Sequence, residues 1–196
     1  MTNTFDALIN SFIDDKVGIA TNFLSAALAS NLRENMSALN LEKMLMPAGT
    51  GNDTRVVHNT LFRSDKICWL DRSNNNLHEN EFFDLMDNFV SYLNSTCYTG
   101  ITGYEFHYAL YEKGSFYKKH LDQFKNNTGR KYSMIMYLTL DWQQGDGGEL
   151  CLYQNNTLQK IAPESGTSVF FKSSELEHEV LVANRPRMSI TGWLKG

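Results

Sequence analysis

His120-Leu121-Asp122 sets an imidazole and a carboxylate two residues apart. On an extended strand, side chains at i and i+2 leave from the same face, so this pair can hold one metal ion between them. A third ligand is needed, and His178 is the candidate, 56 residues beyond Asp122 and past a run of glycine turns. Two histidines and one carboxylate make a facial triad, which leaves the remaining positions on ferrous iron open to other ligands. Alone, the H-x-D pair carries little. With five histidines and eleven aspartates in the chain, such a pair arises by chance roughly one time in four.

The last apolar stretch adds weight. Met188, Ile190 and Leu194 fall on one face of a strand, and Arg187, Ser189, Thr191 and Trp193 fall on the other. If the apolar set packs against helices, an arginine and two hydroxyls point inward. A buried guanidinium is costly unless paired, and its planar fork matches a carboxylate bidentately. An acidic ligand inside the fold would supply that partner. Tyr137 shares a face with Ser133 and Thr139 in another predicted strand and is placed to offer its hydroxyl to the same carboxylate.

The elements that must position these groups divide the chain near its middle. Residues 5–14, 19–46 and 79–93 carry apolar side chains at three- and four-residue spacings and read as helices. Asn40 is the expected cap of a short helix over 41–46, ended by Pro47-Ala-Gly-Thr-Gly. Residues 61–70 read as irregular or extended, and 52–59 and 73–80 as polar loops able to close over a substrate. From residue 104 the period drops to two, predicting strands over 105–111, 131–140, 149–153, 168–172 and 187–194. Short strands without intervening helices imply an antiparallel sandwich or barrel with the helices on one face. At 196 residues the expectation is one domain: residues 1–100 mostly helical support and substrate-side segments, 101–196 the catalytic core.

Composition narrows the class. The chain is 42% hydrophobic and 20% charged with a net charge of −4, an ordinary globular balance without the basic footprint of a nucleic-acid binder. No apolar run reaches membrane-spanning length. Cys68, Cys97 and Cys151 are odd in number and far apart, which fits reduced thiols better than a disulfide framework. With no signal-peptide pattern at the start, a cytoplasmic protein is expected. His58 and His78 are expected in loops, His107 on a strand as a non-ligand, and Cys151 in the core.

The run from Tyr111 to Trp193 resembles the iron(II)- and 2-oxoglutarate-dependent oxygenases of the prolyl hydroxylase superfamily. The resemblance is carried by His120-x-Asp122, Gly147-Gly-Glu-Leu150, His178-Glu-Val180 and Arg187-x-x-Ile-Thr-x-Trp193. It is nearest to the hypoxia-sensing prolyl hydroxylases and their bacterial relatives, through Arg63-Ser-Asp-Lys-Ile-Cys-Trp69, Tyr111 and Tyr137-Leu-Thr139. It covers about residues 60 to 195; the first 55 residues match only in being helical. Two departures stand out. The interval from Tyr111 to His120 is one residue shorter than in the family, and Thr139 replaces the usual asparagine.

The resemblance implies a double-stranded β-helix, or jelly roll, that is mainly β with N-terminal helices. His120, Asp122 and His178 would hold Fe(II), and Arg187 with Tyr137 would clamp the distal carboxylate of 2-oxoglutarate, beside Tyr111 and Thr191. Dioxygen is the co-reactant and ascorbate a reductant. The implied reaction hydroxylates prolyl residues of a protein or peptide with release of succinate and carbon dioxide. Arg63, Asp65, Trp69, Arg130 and Trp193 would line the substrate side, with an Asp65–Arg130 ion pair near the mouth. Hydroxylation of a free amino acid or small metabolite is the alternative, and a non-catalytic binding module a further one. Asp122 favours hydroxylation over halogenation, which would require that carboxylate to be absent.

Overall fold

The structure, a computed structural model, describes residues 2–49, 58–123, 128–154 and 157–196. Helix α1 (Thr2–Asp15) leads into strand β1 (Val17–Thr21), helix α2 (Ala26–Leu41) and the short strands β2 (Met46–Pro47) and β3 (Lys66–Trp69). A 3-10 turn (Arg72–Asn74) precedes α3 (Leu77–Cys97). Eight strands follow: β4 (Gly103–Tyr111), β5 (Tyr117–His120), β6 (Arg130–Tyr137), β7 (Leu150–Gln154), β8 (Thr157–Ile161), β9 (Thr167–Lys172), β10 (Glu177–Val180) and β11 (Arg187–Lys195). They form a seven-stranded sheet in the order β1-β9-β6-β11-β4-β3-β2 and a four-stranded sheet in the order β5-β10-β7-β8. The two antiparallel sheets make a jelly roll, as the alternating apolar pattern requires.

Two apolar clusters follow from that alternation. Ile190, Leu194, Met134, Met136, Phe106 and Phe170 point outward from the large sheet and bury against Leu8, Leu32, Phe82 and Phe89 of the helices. Ala109, Tyr111, Ile135, Tyr137 and Phe171 point inward and meet Leu150, Leu152 and Val180 of the small sheet. The expected parity of the last strand is therefore present: the helices cover Met188, Ile190 and Leu194, and Arg187 and Ser189 lie buried on the inner side.

Several local expectations need correction. Residues 19–21 are not helical, because Lys16 turns at a positive φ of 63° and the β-branched run that follows pairs with β9 at the sheet edge. Helix α2 starts later, capped by Ser25, whose hydroxyl accepts from the Leu28 amide at 3.1 Å. No second helix covers 41–46. α2 runs through Leu41, Lys43 breaks it at φ 60°, and Met46 and Pro47 pair with β3. Residues 73–80 are not a loop either: the Asn76 carboxamide caps α3 by accepting from the His78 and Glu79 amides at 3.0 Å each. His78 is therefore helical. The loop expected over 52–59 lies mostly outside the described residues. Strands β5, β8 and β10 were too short to register as alternating patterns. Among the described residues no helix is long and apolar enough to cross a membrane.

Candidate active site

Strands β5 and β10 lie side by side with His120 directly opposite His178, and their rings are 4.3 Å apart. The strand ends at His120, so Asp122 projects from the segment just beyond it rather than from the strand itself. His120 Nδ1 lies 2.7 Å from the Lys118 carbonyl and His178 Nδ1 lies 3.0 Å from that of Leu176. A carbonyl only accepts, so each Nδ1 carries the proton and each Nε2 keeps its lone pair for a metal. Those Nε2 atoms stand 3.4 and 3.5 Å from the two oxygens of Asp122, one on each. The three donor groups converge with all ligating atoms within 4.8 Å.

Electrostatics put these groups in the states a metal requires. Burial alone would raise the Asp122 pKa, but His178, His120 and the Ser133 hydroxyl together hold the carboxyl well below the usual range. Ser133 donates to Asp122 at 2.6 Å and is itself within 2.8 Å of Ser173. Burial pushes His178 down to about 4, against the opposing pull of Asp122. An anionic carboxylate beside a neutral imidazole is a metal-ready donor set. Two imidazoles and one carboxylate with an open side suit Fe(II).

The inner face of the large sheet is laid out in rows by strand register. Arg187 pairs with Tyr111 at one end. Ser189 then lies between Tyr137 and Ala109, Thr191 between Ile135 and His107, and Trp193 between Ser133 and Glu105. Trp69 extends the third row beside His107. Over this floor opens a cavity that Arg187, Thr191 and Trp193 line together with His120, Asp122 and His178.

Arg187 is 2% exposed, and among the described residues no carboxylate pairs with it. Its Nη1 donates to Ser189 at 3.2 Å, Ser189 lies 3.2 Å from Thr191, and its Cζ sits 4.6 and 5.0 Å from the Tyr111 and Tyr137 rings. Among the described residues, Arg187 Nε and the Tyr137 hydroxyl have no hydrogen-bond partner. A buried cation with unused donors beside an unpaired hydroxyl is a costly arrangement without an acid to receive both. The carboxylate end of a 2-oxo acid meets that requirement.

The two glycines of Gly147-Gly148 have distinct tasks. At Gly147, with φ +69°, a Cβ would stand 2.1 Å from the Val182 carbonyl oxygen. At Gly148, with φ +73°, a Cβ would press on Arg187 Cδ at 3.1 Å. Gly148→Ala combines a left-handed backbone, disfavoured by about 1–2 kcal/mol, with a displaced guanidinium. Its expected result is a raised KM for 2-oxoglutarate in a succinate-formation assay; an unchanged KM would mean that Arg187 accommodates the methyl without moving.

The residues expected at the mouth are only partly gathered as foreseen. The Asp65–Arg130 ion pair does not form. Arg63 takes Asp65 in a bidentate pair at 2.8 and 2.6 Å, since the two alternate on an extended segment. Arg130 pairs with Glu105 at 3.0 and 3.1 Å, because β11 lies between their strands and brings both beside Trp193. With Nη1 donating to the Gly49 carbonyl at 3.2 Å, each nitrogen of the Arg63 guanidinium carries a hydrogen bond. It lies 4.3 Å over the Tyr117 ring, and Tyr117 stacks on His120 at 3.6 Å and 17°. Arg63 therefore lines the cavity as a buttress behind His120.

Tyr117 was missed because alternation puts it on the opposite face from His120. An irregular register between His178 and Val180 brings it round. His107, read as an ordinary strand residue, also lines the cavity, and its parity with Ala109 and Tyr111 was the available signal. Its ring is 4.9 Å from Trp69 and 5.5 Å from Trp193, and the Arg130 guanidinium lies 3.4 Å over Trp193. Cys151 is buried in the core as expected.

Known proteins share this arrangement. Over 79 residues the chain is 32% identical to a prolyl 3-hydroxylase, OGFOD1, of Xenopus laevis, an alignment that covers 35% of this chain and 16% of that protein. The chain thus spans about a sixth of that relative's length. A prolyl-4-hydroxylase of Pseudomonas putida superposes with a TM-score of 0.88 at 30% identity over 98% of both chains. A prolyl hydroxylase of Trichoplax adhaerens, solved with a hypoxia inducible factor peptide fragment, superposes at 0.85 with 25% identity, covering 98% of this chain and 89% of that one. Residues 106–195, which include the metal trio and Arg187, match the family model of the 2OG-Fe(II) oxygenase superfamily. With the converging donor set and the buried, unpaired guanidinium, these likenesses place the chain in the 2OG-Fe(II) oxygenase superfamily, as a 2-oxoglutarate-dependent dioxygenase.

Proposed function

We propose that this dioxygenase hydroxylates prolyl residues within a protein or peptide. His120, Asp122 and His178 would hold the iron, and Arg187 with the Tyr137 hydroxyl would receive the distal carboxylate of 2-oxoglutarate. Tyr111 packs against the Arg187 guanidinium, and Thr191 continues its hydroxyl chain through Ser189. Together, iron, cosubstrate and dioxygen supply the oxidising power, with succinate and carbon dioxide released as one oxygen atom enters a C–H bond. The protein's part is to fix ligand tautomers, orient the cosubstrate and keep water from the reacting carbon. Ascorbate would serve as external reductant. Three free cysteines, one of them exposed, suit a reducing cytoplasm.

The observation that carries the peptide reading is the charge inventory of the cavity. A free amino acid needs one cation for its carboxylate and one anion for its ammonium group. Among the described charged residues lining the cavity, Asp122 faces the two metal-binding histidines, Arg63 is tied to Asp65, and Arg187 stands at the cosubstrate end. At the mouth, Arg130 and Lys195 both engage Glu105. What remains around the opening is aromatic: Trp69, Tyr117 and Trp193. Such a wall suits an apolar ring in an extended chain better than a zwitterion. The relatives named as prolyl hydroxylases point the same way. A non-catalytic module has no use for a complete donor trio.

The test is mass spectrometry of a host proteome with the enzyme present or deleted, together with assays on free amino acids. A +16 Da shift on proline in one or a few proteins is expected. Turnover of a free amino acid with no shift on any protein would overturn the reading.

A further inference from the structure

We propose that His107 and the indole nitrogen of Trp193 form a second polar subsite of the cavity, one that receives a backbone peptide group of the substrate next to the reacting residue. The assignment rests on the peptide reading above and adds to it how the chain is held. Among the described residues, six buried side-chain polar atoms lack a hydrogen-bond partner. Two, His78 Nδ1 and Glu79 Oε2, sit at the start of α3. Arg187 Nε and Tyr137 Oη are explained by the cosubstrate. The last two are His107 Nδ1 and Trp193 Nε1. These belong to neighbouring rings that both line the cavity and are only 2% and 7% exposed. Orphaned polar atoms at this burial are uncommon, and two in one ring cluster call for a shared partner.

The cosubstrate cannot be that partner. The Arg187 guanidinium reaches Ser189, and Ser189 reaches Thr191 in the row of His107, whereas Trp193 stands one row further along the strand. A five-carbon diacid anchored on Arg187 and reaching the metal is used up before that point. The pair therefore faces the prime substrate.

Its chemistry selects the class of group. An indole N–H only donates. Burial, with the charges of Arg63 and Arg130, pushes His107 down to about 3, so the imidazole is neutral and offers one donor and one acceptor. A neutral donor beside a neutral acceptor suits a partner that is itself neutral and carries both functions. A peptide group does, its carbonyl accepting from Trp193 and its N–H donating to His107. Arg130, stacked on the indole, and Trp69, 47% exposed against His107, cover the pair from the mouth side.

The experiment uses the iron-loaded enzyme with 2-oxoglutarate and an equimolar library of acetylated, amidated hexapeptides with proline fixed at the third position. The best-hydroxylated member is remade with an ester oxygen in place of the peptide N–H after proline. His107→Phe and Trp193→Phe keep an aromatic ring at each position and remove the nitrogens. Each should raise the KM for the peptide roughly three- to tenfold, as loss of one net hydrogen bond implies, and by more than it raises the KM for 2-oxoglutarate. The ester should be penalised in the wild type and in Trp193→Phe, and no further in His107→Phe. If the wild type hydroxylates no library member, the peptide reading fails and the subsite with it. If the wild type hydroxylates a peptide but both variants keep its KM, raise both KM values alike, or show an undiminished ester penalty in His107→Phe, the subsite is overturned and the reading stands.

Discussion

His120→Ala and Asp122→Ala are each expected to abolish succinate formation and to weaken divalent-metal binding severely, with the fold retained. The site is open on one side and lies at the edge of the small sheet, so the metal is held for chemistry rather than to close a core. Removing Asp122 deletes the only anion among the three donors and strips both Nε2 atoms of the carboxylate that faces them at 3.4 and 3.5 Å. Removing His120 leaves His178 and Asp122 as a two-donor remnant. Either loss should exceed the roughly 10- to 100-fold that removal of a supporting hydrogen bond costs. Ser133→Ala, which deletes such a bond at 2.6 Å, provides that smaller reference in the same titration. Calorimetric binding of Mn(II) and a thermal melt read affinity and fold separately. Near-wild-type turnover in either ligand variant would remove the pair from the metal site.

How much of this was legible depended on where the signal was local. The last strand declared its two faces because Met188, Ile190 and Leu194 alternate with Arg187, Ser189, Thr191 and Trp193 over a span long enough to read. Strands β5 and β10 did not, although they carry His120 and His178. Each is four residues long, and their pairing joins segments almost sixty residues apart through a register irregularity that no period of two anticipates. The same irregularity hid Tyr117 behind His120. The helical half misled for a related reason. Ile19 continues the helical spacing of α2 on paper, yet the Val17-Gly-Ile-Ala-Thr21 segment has an edge of β9 to pair with, and tertiary pairing overrides local pattern.

Charge pairing was the least legible feature. The resemblance brings the stretches of Asp65 and Arg130 together, and the expected ion pair rested on that and on their opposite charges. Each found a nearer partner: Arg63 lies two residues from Asp65, and Glu105 projects from β4, one strand beyond β11, to meet Arg130. Sequence separation says little about which of several nearby charges wins. Geometry at the level of side-chain forks decides it, and Asp65 at 1% exposure accepts both prongs of Arg63. The consequence reaches the candidate site, since the same arginine lies over the Tyr117 ring that stacks on His120.

Arg187→Lys is expected to raise the KM for 2-oxoglutarate roughly ten- to a hundredfold while leaving metal binding close to that of the parent enzyme. The substitution keeps the positive charge and loses the planar fork, so it separates electrostatic attraction from bidentate geometry. Arg187 has one donor engaged by Ser189 at 3.2 Å, and among the described residues its Nε has no partner; the rings of Tyr111 and Tyr137 flank the guanidinium. A lysine ammonium cannot fill that flat slot. Charge-assisted hydrogen bonds contribute about 1.5–3 kcal/mol each, and losing one accounts for the range given. Tyr137→Phe removes a neutral hydroxyl from the same carboxylate, so its effect should be the smaller, about 0.5–1.5 kcal/mol or at most roughly tenfold. Succinate formation measured across 2-oxoglutarate concentrations, with Mn(II) affinity measured alongside, tests both. An unchanged KM in Arg187→Lys would place the guanidinium outside the cosubstrate's reach, and its burial without a carboxylate would then need another occupant.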